Sequence, residues 1–328
     1  MVLPDYTTSL AIMNPNEFRQ RLRGTIVAMT TPFNRDLSLD LVGLREYTEY
    51  LIREGIRLLI PAGSSGEFFS MTEEERRKVI ETVIEVSNGR ALVIAGAPHS
   101  GTALCSQLVG DCRRMGADGV MVTPPYYEFD GFEGVRRHFQ QVSDENEIGI
   151  FVYISGAVVQ KVQFMVQNLD LLEKLFEIPN VVALKDSTGS HAFYRDACQR
   201  LGDRGAVIGS AGLNYYIWGS LWGSPGTIAG IGNFYPALEL EFLKLMDEGR
   251  ILDATALVRR YELPYLEITK TLGYHASVKA ILDMMGLPGG PMRSPRVTLD
   301  EGQRQKLKAS LESTGLMELI LRPAGVSA

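Results

Sequence analysis

The chain has 328 residues, 45% of them hydrophobic and 22% charged, with a formal net charge of −6. That is the balance of an ordinary globular protein, long enough for two average domains or one large α/β barrel. Lysine and arginine are scattered, which argues against a nucleic-acid partner, and no apolar run is long enough to span a bilayer.

Residues 1–16 lack a basic segment followed by an apolar one, so they do not read as a secretory signal. Residues 1–21 are expected to be an N-terminal arm, and the expected location is the cytoplasm. From residue 24 a short apolar run alternates with an amphipathic stretch. The runs are Thr25–Met29, Leu58–Pro61, Ala91–Gly96, Gly119–Thr123, Ile148–Tyr153, Val181–Lys185, Ala206–Gly209 and Thr227–Ala229. Runs of this kind suit parallel strands buried on both faces. Between them the spacing predicts helices over Leu41–Arg53 and Glu73–Val86. The second opens on a capping box, Thr72 with Glu75. Further helices are expected near 102–115, 132–144, 163–176, 190–201, 213–222 and 235–248.

Eight strand–helix units without a linker predict a (β/α)8 barrel over 22–248. A doubly wound sheet is the rival. It favours a Gly-rich turn after the first strand, and Met29-Thr30-Thr31-Pro32-Phe33 offers none. Residues 249–328 read as a helical C-terminal extension, with helices over Arg250–Leu272, Ser277–Met285 and Leu299–Ser313. Three cysteines (Cys105, Cys112, Cys198) without CxxC spacing, and four scattered histidines, give no disulfide framework and no metal site. No metal and no cofactor are expected.

Catalytic groups of such barrels stand at the C-terminal ends of the strands. The sixth run ends in Lys185. An ammonium beside apolar surface is costly, and the same setting lowers a lysine's pKa, which makes a nucleophile for a carbonyl carbon. A lysine snorkelling to solvent is the plainer reading. The fifth run ends in Tyr153. Neighbouring strands lie about 4.8 Å apart, so its hydroxyl is within reach of a group bound to Lys185. Otherwise the ring is a lid on the barrel core. The second run ends in Gly63-Ser64-Ser65-Gly66-Glu67, a turn whose hydroxyls and amides suit a carboxylate, or simply a Gly/Ser turn. Pro124-Pro125-Tyr126-Tyr127 is a stiff loop with a packing or interface role as the alternative. Ser210 and Asn233 are candidates for contact with the far end of a substrate. His99 faces the mouth or serves its own loop.

Taken in order, Thr31-Pro32-Phe33, Gly63–Glu67, Glu73–Arg77, Gly116-Ala117-Asp118-Gly119, Tyr126-Tyr127, Val152-Tyr153 and Leu184-Lys185-Asp186 resemble the pyruvate-dependent class I aldolases. That family is typified by dihydrodipicolinate synthase and N-acetylneuraminate lyase, and the resemblance covers residues 22 to 318. It implies a lyase in which Lys185 forms a Schiff base with a 2-keto acid and Tyr153 is the acid/base. Ser64 and Ser65 would bind the keto-acid carboxylate, with Ser64 also linking tyrosines in a relay. Tyr127 would match the relay tyrosine inserted into a neighbouring subunit's site, in a homo-oligomer built as a dimer of dimers. Gly209, Ser210 and Ile228 complete the expected substrate-binding set. The partner is a small-molecule 2-keto acid, with aldol addition, cleavage or dehydration of a keto-deoxy sugar acid as the reaction. The alternatives are dihydrodipicolinate synthase itself and a non-catalytic keto-acid-binding paralogue. The sequence departs from the synthase pattern after Tyr153, where Val158 stands in place of an arginine that binds the second substrate's carboxylate. Pro124-Pro125-Tyr126 resembles the 5-keto-4-deoxyglucarate dehydratase branch.

Overall fold

The computed structural model describes residues 13–154 and 160–321. The arm's residues 1–12, the Val158 loop and the last residues of the extension lie outside these. Nine parallel strand segments form a ring: β1 (Gly24–Thr25), β2 (Val27–Ala28), β3 (Leu58–Ile60), β4 (Leu92–Gly96), β5 (Gly119–Val122), β6 (Gly149–Ile154), β7 (Val181–Asp186), β8 (Ala206–Gly209) and β9 (Gly226–Thr227). Their order is β1-β9-β8-β7-β6-β5-β4-β3-β2. β1 and β2 are two halves of the first expected strand. One half pairs with β9 and the other with β3, so this stretch closes the barrel. The Ile26 N–H still donates to the Thr227 carbonyl at 2.9 Å across the break. The fold is therefore the expected (β/α)8 barrel followed by C-terminal helices.

Alternation along each strand sorts the side chains into two apolar layers. Ile26, Ile60, Ile94, Met121, Phe151 and Ile208 fill the barrel interior. Val120, Val152 and Leu184 face outward and pack against helix residues such as Leu44, Val79, Leu108 and Phe139. The bottom of the barrel is closed by α1 (Pro15–Arg21), capped by the Asn14 side chain, so this part of the expected arm is folded onto the barrel. Its Phe18 is fully buried. A Cβ on Gly119 or Gly149 would lie 2.2 or 2.3 Å from the Phe18 ring, so both strand starts need glycine to admit it.

The outer helices are α2 (Leu41–Arg53), α3 (Glu73–Ser87), α4 (Thr102–Met115), α5 (Gly131–Glu145), α6 (Gln163–Gln167), α7 (Leu169–Leu175), α8 (His191–Leu201), α9 (Leu213–Ser220) and α10 (Pro236–Asp247). The capping box opening α3 is present in both directions. The helix expected over 163–176 is two helices. Asn168 leaves helical geometry there, and its side chain caps α7 by accepting from the Asp170 N–H.

The extension comprises α11 (Ile251–Leu257), α12 (Leu263–Leu272), α13 (Tyr274–Met284), α14 (Glu301–Ser313) and α15 (Leu316–Ile320). A π-helical turn, Val258–Glu262, joins α11 to α12. Pro264 follows it and supplies no N–H for a regular turn. The wide turn carries the buried Glu262 to the start of α9, where it accepts from the Leu213 and Asn214 N–H groups at 2.7 and 3.1 Å. Gly273, at φ 90°, ends α12 and lets α13 turn back over the barrel mouth.

Candidate active site

β6 and β7 are neighbours in register, and Tyr153 stands opposite Lys185. Both side chains continue the inward-facing layer one step above Phe151 and Ala183. Lys185 is only 5% exposed. Its Nζ lies 4.1 Å from the centroid of the Tyr153 ring. Burial holds its pKa below the usual lysine range, and the neighbouring Tyr153 offsets that only in part. The adjacent carboxylate does not neutralise it. Asp186 alternates to the outer face, where it accepts from the Tyr215 hydroxyl and the Thr188 N–H, each at 2.7 Å. The amine is therefore buried, drawn toward its neutral form and set against a phenol ring, which is the condition a Schiff-base lysine requires. The snorkelling alternative does not hold.

The 63–67 turn is bracketed by two non-glycine residues in left-handed geometry, Ala62 at φ 53° and Glu67 at φ 59°. Such conformations cost roughly 1–3 kcal/mol each and persist only where surroundings enforce them. Here the enforcement is visible. Thr31 Oγ1 donates to the Gly66 carbonyl at 2.8 Å. The buried Glu67 carboxylate accepts from Lys279 Nζ at 2.9 Å and from the Arg293 N–H at 3.0 Å. Ser64 and Ser65 are half-buried in this turn.

Gly209, Ser210 and Ile228 lie together at the ends of β8 and β9. The Gly209 N–H donates to the Tyr194 hydroxyl, and its carbonyl accepts from the Ile228 N–H at 3.0 Å. A Cβ on Gly209 would lie 2.7 Å from Tyr215, so the position is closed to larger residues. Ile228 packs in the interior cluster with Tyr153. The Ser210 hydroxyl meets that of Ser187, the residue two beyond Lys185. Among the described residues no hydrogen bond or ring contact joins Tyr127 to Lys185. Tyr127 is 74% exposed, and its carbonyl accepts from Lys161 Nζ at 2.6 Å. Two other candidates accept hydrogen bonds within the protein. Asn233 is buried and accepts from the Tyr47 hydroxyl at 2.7 Å, and His99 Nδ1 accepts from the Gly101 N–H at 2.9 Å.

A family model described as "Dihydrodipicolinate synthetase family" matches residues 21–314. The chain belongs to this family. It is a Schiff-base-forming lyase by that membership. One relative, 31% identical over 90% of this chain and 99% of its own, is the 4-hydroxy-tetrahydrodipicolinate synthase of Pelobacter propionicus. Another, 30% identical over 90% and 94%, is the probable 5-dehydro-4-deoxyglucarate dehydratase of Ralstonia nicotianae. Among solved structures, the 4-hydroxy-tetrahydrodipicolinate synthase of Methylacidiphilum fumariolicum SolV superposes with a TM-score of 0.82 at 23% identity, over 91% of this chain and 98% of that one. It shares the fold. Among the described residues no helix is long and apolar enough to cross a membrane.

The mouth of this family member also holds residues that the sequence reading did not single out. Thr123 follows Met121 in the inward alternation, and its hydroxyl is buried without a protein partner. Strand-end alternation alone points to it. Tyr274, His275 and Arg296 come from the extension. Tyr274 is wedged against Gly230, where a Cβ would lie 2.1 Å from its hydroxyl. Nothing in their spacing marks these three, because they reach the mouth only where α13 and the loop after it return over the barrel.

Proposed function

We propose that the chain is a class I lyase acting on a 2-keto acid, with Lys185 as the covalent residue. The observation that carries this reading is the buried Lys185 amine set against the Tyr153 ring. The neutral amine adds to the C2 carbonyl, and loss of water from the carbinolamine gives an iminium. The iminium withdraws electrons from C3, so a C3 proton leaves to give an enamine. The enamine then adds to an aldehyde, or expels a C4 hydroxyl that departs as water once protonated. The reverse of the addition cleaves the carbon–carbon bond. Tyr153 moves these protons. Ser64 and Ser65 hold the C1 carboxylate through their hydroxyls and backbone amides, while Gly209, Ser210 and Ile228 shape the wall beside C3.

Relatives that are named as synthases and as a dehydratase fall at similar identity, so the class of 2-keto acid is proposed here rather than one pathway. The exposed Tyr127 ring fits a tyrosine offered to a second subunit, as in a dimer of dimers. The three cysteines are buried free thiols, in keeping with a cytoplasmic enzyme.

Borohydride reduction in the presence of pyruvate, followed by peptide mass mapping, tests the reading. The expected result is a reduced adduct on Lys185 and none in Lys185→Ala. Failure to trap any of several 2-keto acids would remove Lys185 from the chemistry.

A further inference from the structure

Arg296 is a half-buried cation on which the Glu67 carboxylate acts only from beyond ion-pair distance. Its neighbours in the extension each have a carboxylate: Lys279 has Glu67 at 2.9 Å, Arg293 has Glu75 at 2.7 Å and Arg304 has Asp283 at 2.6 Å. Among the described residues no carboxylate forms an ion pair with Arg296. Its guanidinium lies over the Phe69 ring at 5.2 Å, and its Nη1 donates to His275 Nδ1 at 2.5 Å. An imidazole that accepts at Nδ1 is neutral and carries its proton on Nε2, so the pair offers donors and no negative charge. Burial, Arg296 and Lys185 together hold the His275 pKa down to about 3, which keeps the ring neutral at pH 7.

The pair also stands in a defined place. His275 lies in the first turn of α13, at the helix's positive pole, near enough to Lys185 for a charge on that lysine to disfavour an imidazolium. Phe69 belongs to the 3₁₀ turn that follows directly on Gly63–Glu67. The guanidinium is half-buried, so an anion placed against it escapes much of the screening met on an open surface.

We infer that Arg296 and His275 form a second anion subsite, carried over the barrel mouth by the C-terminal extension, for the far carboxylate of a dicarboxylic 2-keto acid. The inference rests on the proposed Lys185 reading for the near end of the ligand. It gives the chain a cation for the distal carboxylate from a part of the sequence unrelated to position 158.

The test compares 2-oxoadipate with 2-oxohexanoate, an acid of equal length that lacks the far carboxylate. Each is measured by half-saturation of the borohydride-trapped adduct and by calorimetric binding. The wild-type chain is expected to favour the dicarboxylate by about tenfold to a hundredfold, the range of a charge-assisted hydrogen bond. Arg296→Gln should bring the ratio within about threefold. Arg296→Lys, which keeps the charge without the guanidinium fork, should fall between the two and serves if the Gln variant does not fold. A wild-type ratio near one, or a ratio that survives in Arg296→Gln, overturns the subsite. An Arg296-dependent calorimetric preference without any trapped adduct upholds the subsite and removes the Schiff base instead.

Discussion

Glu67 and Lys279 form a buried ion pair, 2.9 Å apart, that joins the seryl turn after β3 to helix α13. Lys279 also donates to the Pro291 carbonyl at 2.6 Å and lies 4.5 Å from the Phe33 ring. The pair holds Glu67 in left-handed geometry and fixes the turn proposed to bind the keto-acid carboxylate. Removing one partner leaves an uncompensated charge in the interior. Lys279→Met is expected to cost about 3–5 kcal/mol. Adding Glu67→Gln should restore much of that, because the remaining polar group is then neutral. Urea unfolding of the three variants measures both. A cost below about 1 kcal/mol for the single change would show that the turn holds itself without the extension.

Lys185 is expected to lower the stability of the fold. Its folded pKa lies below the ordinary lysine value of 10.5, so the unfolded chain binds more protons between the two values. Stability should therefore rise with pH across that window, and fall as pH drops through the folded pKa. Lys185→Met should gain roughly 1–3 kcal/mol near neutral pH and lose the adduct entirely. The trapping rate of the wild type should climb with pH and level off before pH 10.5. A rate still rising there would mean that the amine behaves as an ordinary surface lysine.

Tyr153→Phe keeps the ring beside Lys185 and removes only the hydroxyl. The expected effect is a fall in turnover of about 10²–10⁴, the range for loss of a general acid/base, with the unfolding midpoint nearly unchanged. Single-turnover kinetics with a productive 2-keto acid measure it. A fall of less than about threefold would take the phenol out of proton transfer.

Glu239 gives a second pH signature. It is buried, accepts from the Thr25 hydroxyl and the Gly232 N–H, and burial pushes its pKa up to about 7 from 4.5. The fold favours the protonated acid, so its contribution is complete below pH 4.5 and is lost as pH rises through about 7. Glu239→Gln mimics the protonated form and should remove that slope. Relative to wild type, the variant should gain about 1–3 kcal/mol between pH 5 and pH 8, read from urea midpoints. An unchanged difference across that range would place the carboxylate in contact with water.

The barrel was legible because its strands are short apolar runs buried on both faces, each followed by an amphipathic stretch of ordinary length. Periodicity registers that pattern directly. Lys185 and Tyr153 were legible for a related reason: a polar group ending an apolar strand has to be accounted for, and strand ends of this fold face one mouth. The break at Ile26 was not visible, because the same few residues must pair with both β9 and β3 to close the ring. The split at Asn168 was not visible either, because its side chain caps a new helix within an unbroken amphipathic pattern.

Short apolar runs and the polar residues that end them were enough to indicate the fold class and to single out Lys185 and Tyr153, the pair proposed as catalytic. Tertiary structure alone decided what surrounds them. His275 and Lys279 stand one turn apart on α13 and Arg296 follows in the loop beyond it, but Glu67 is 212 residues before Lys279, and no local spacing relates it to them. They meet because α13 folds back over the barrel, where burial makes each unpaired charge costly enough to require a partner or a ligand.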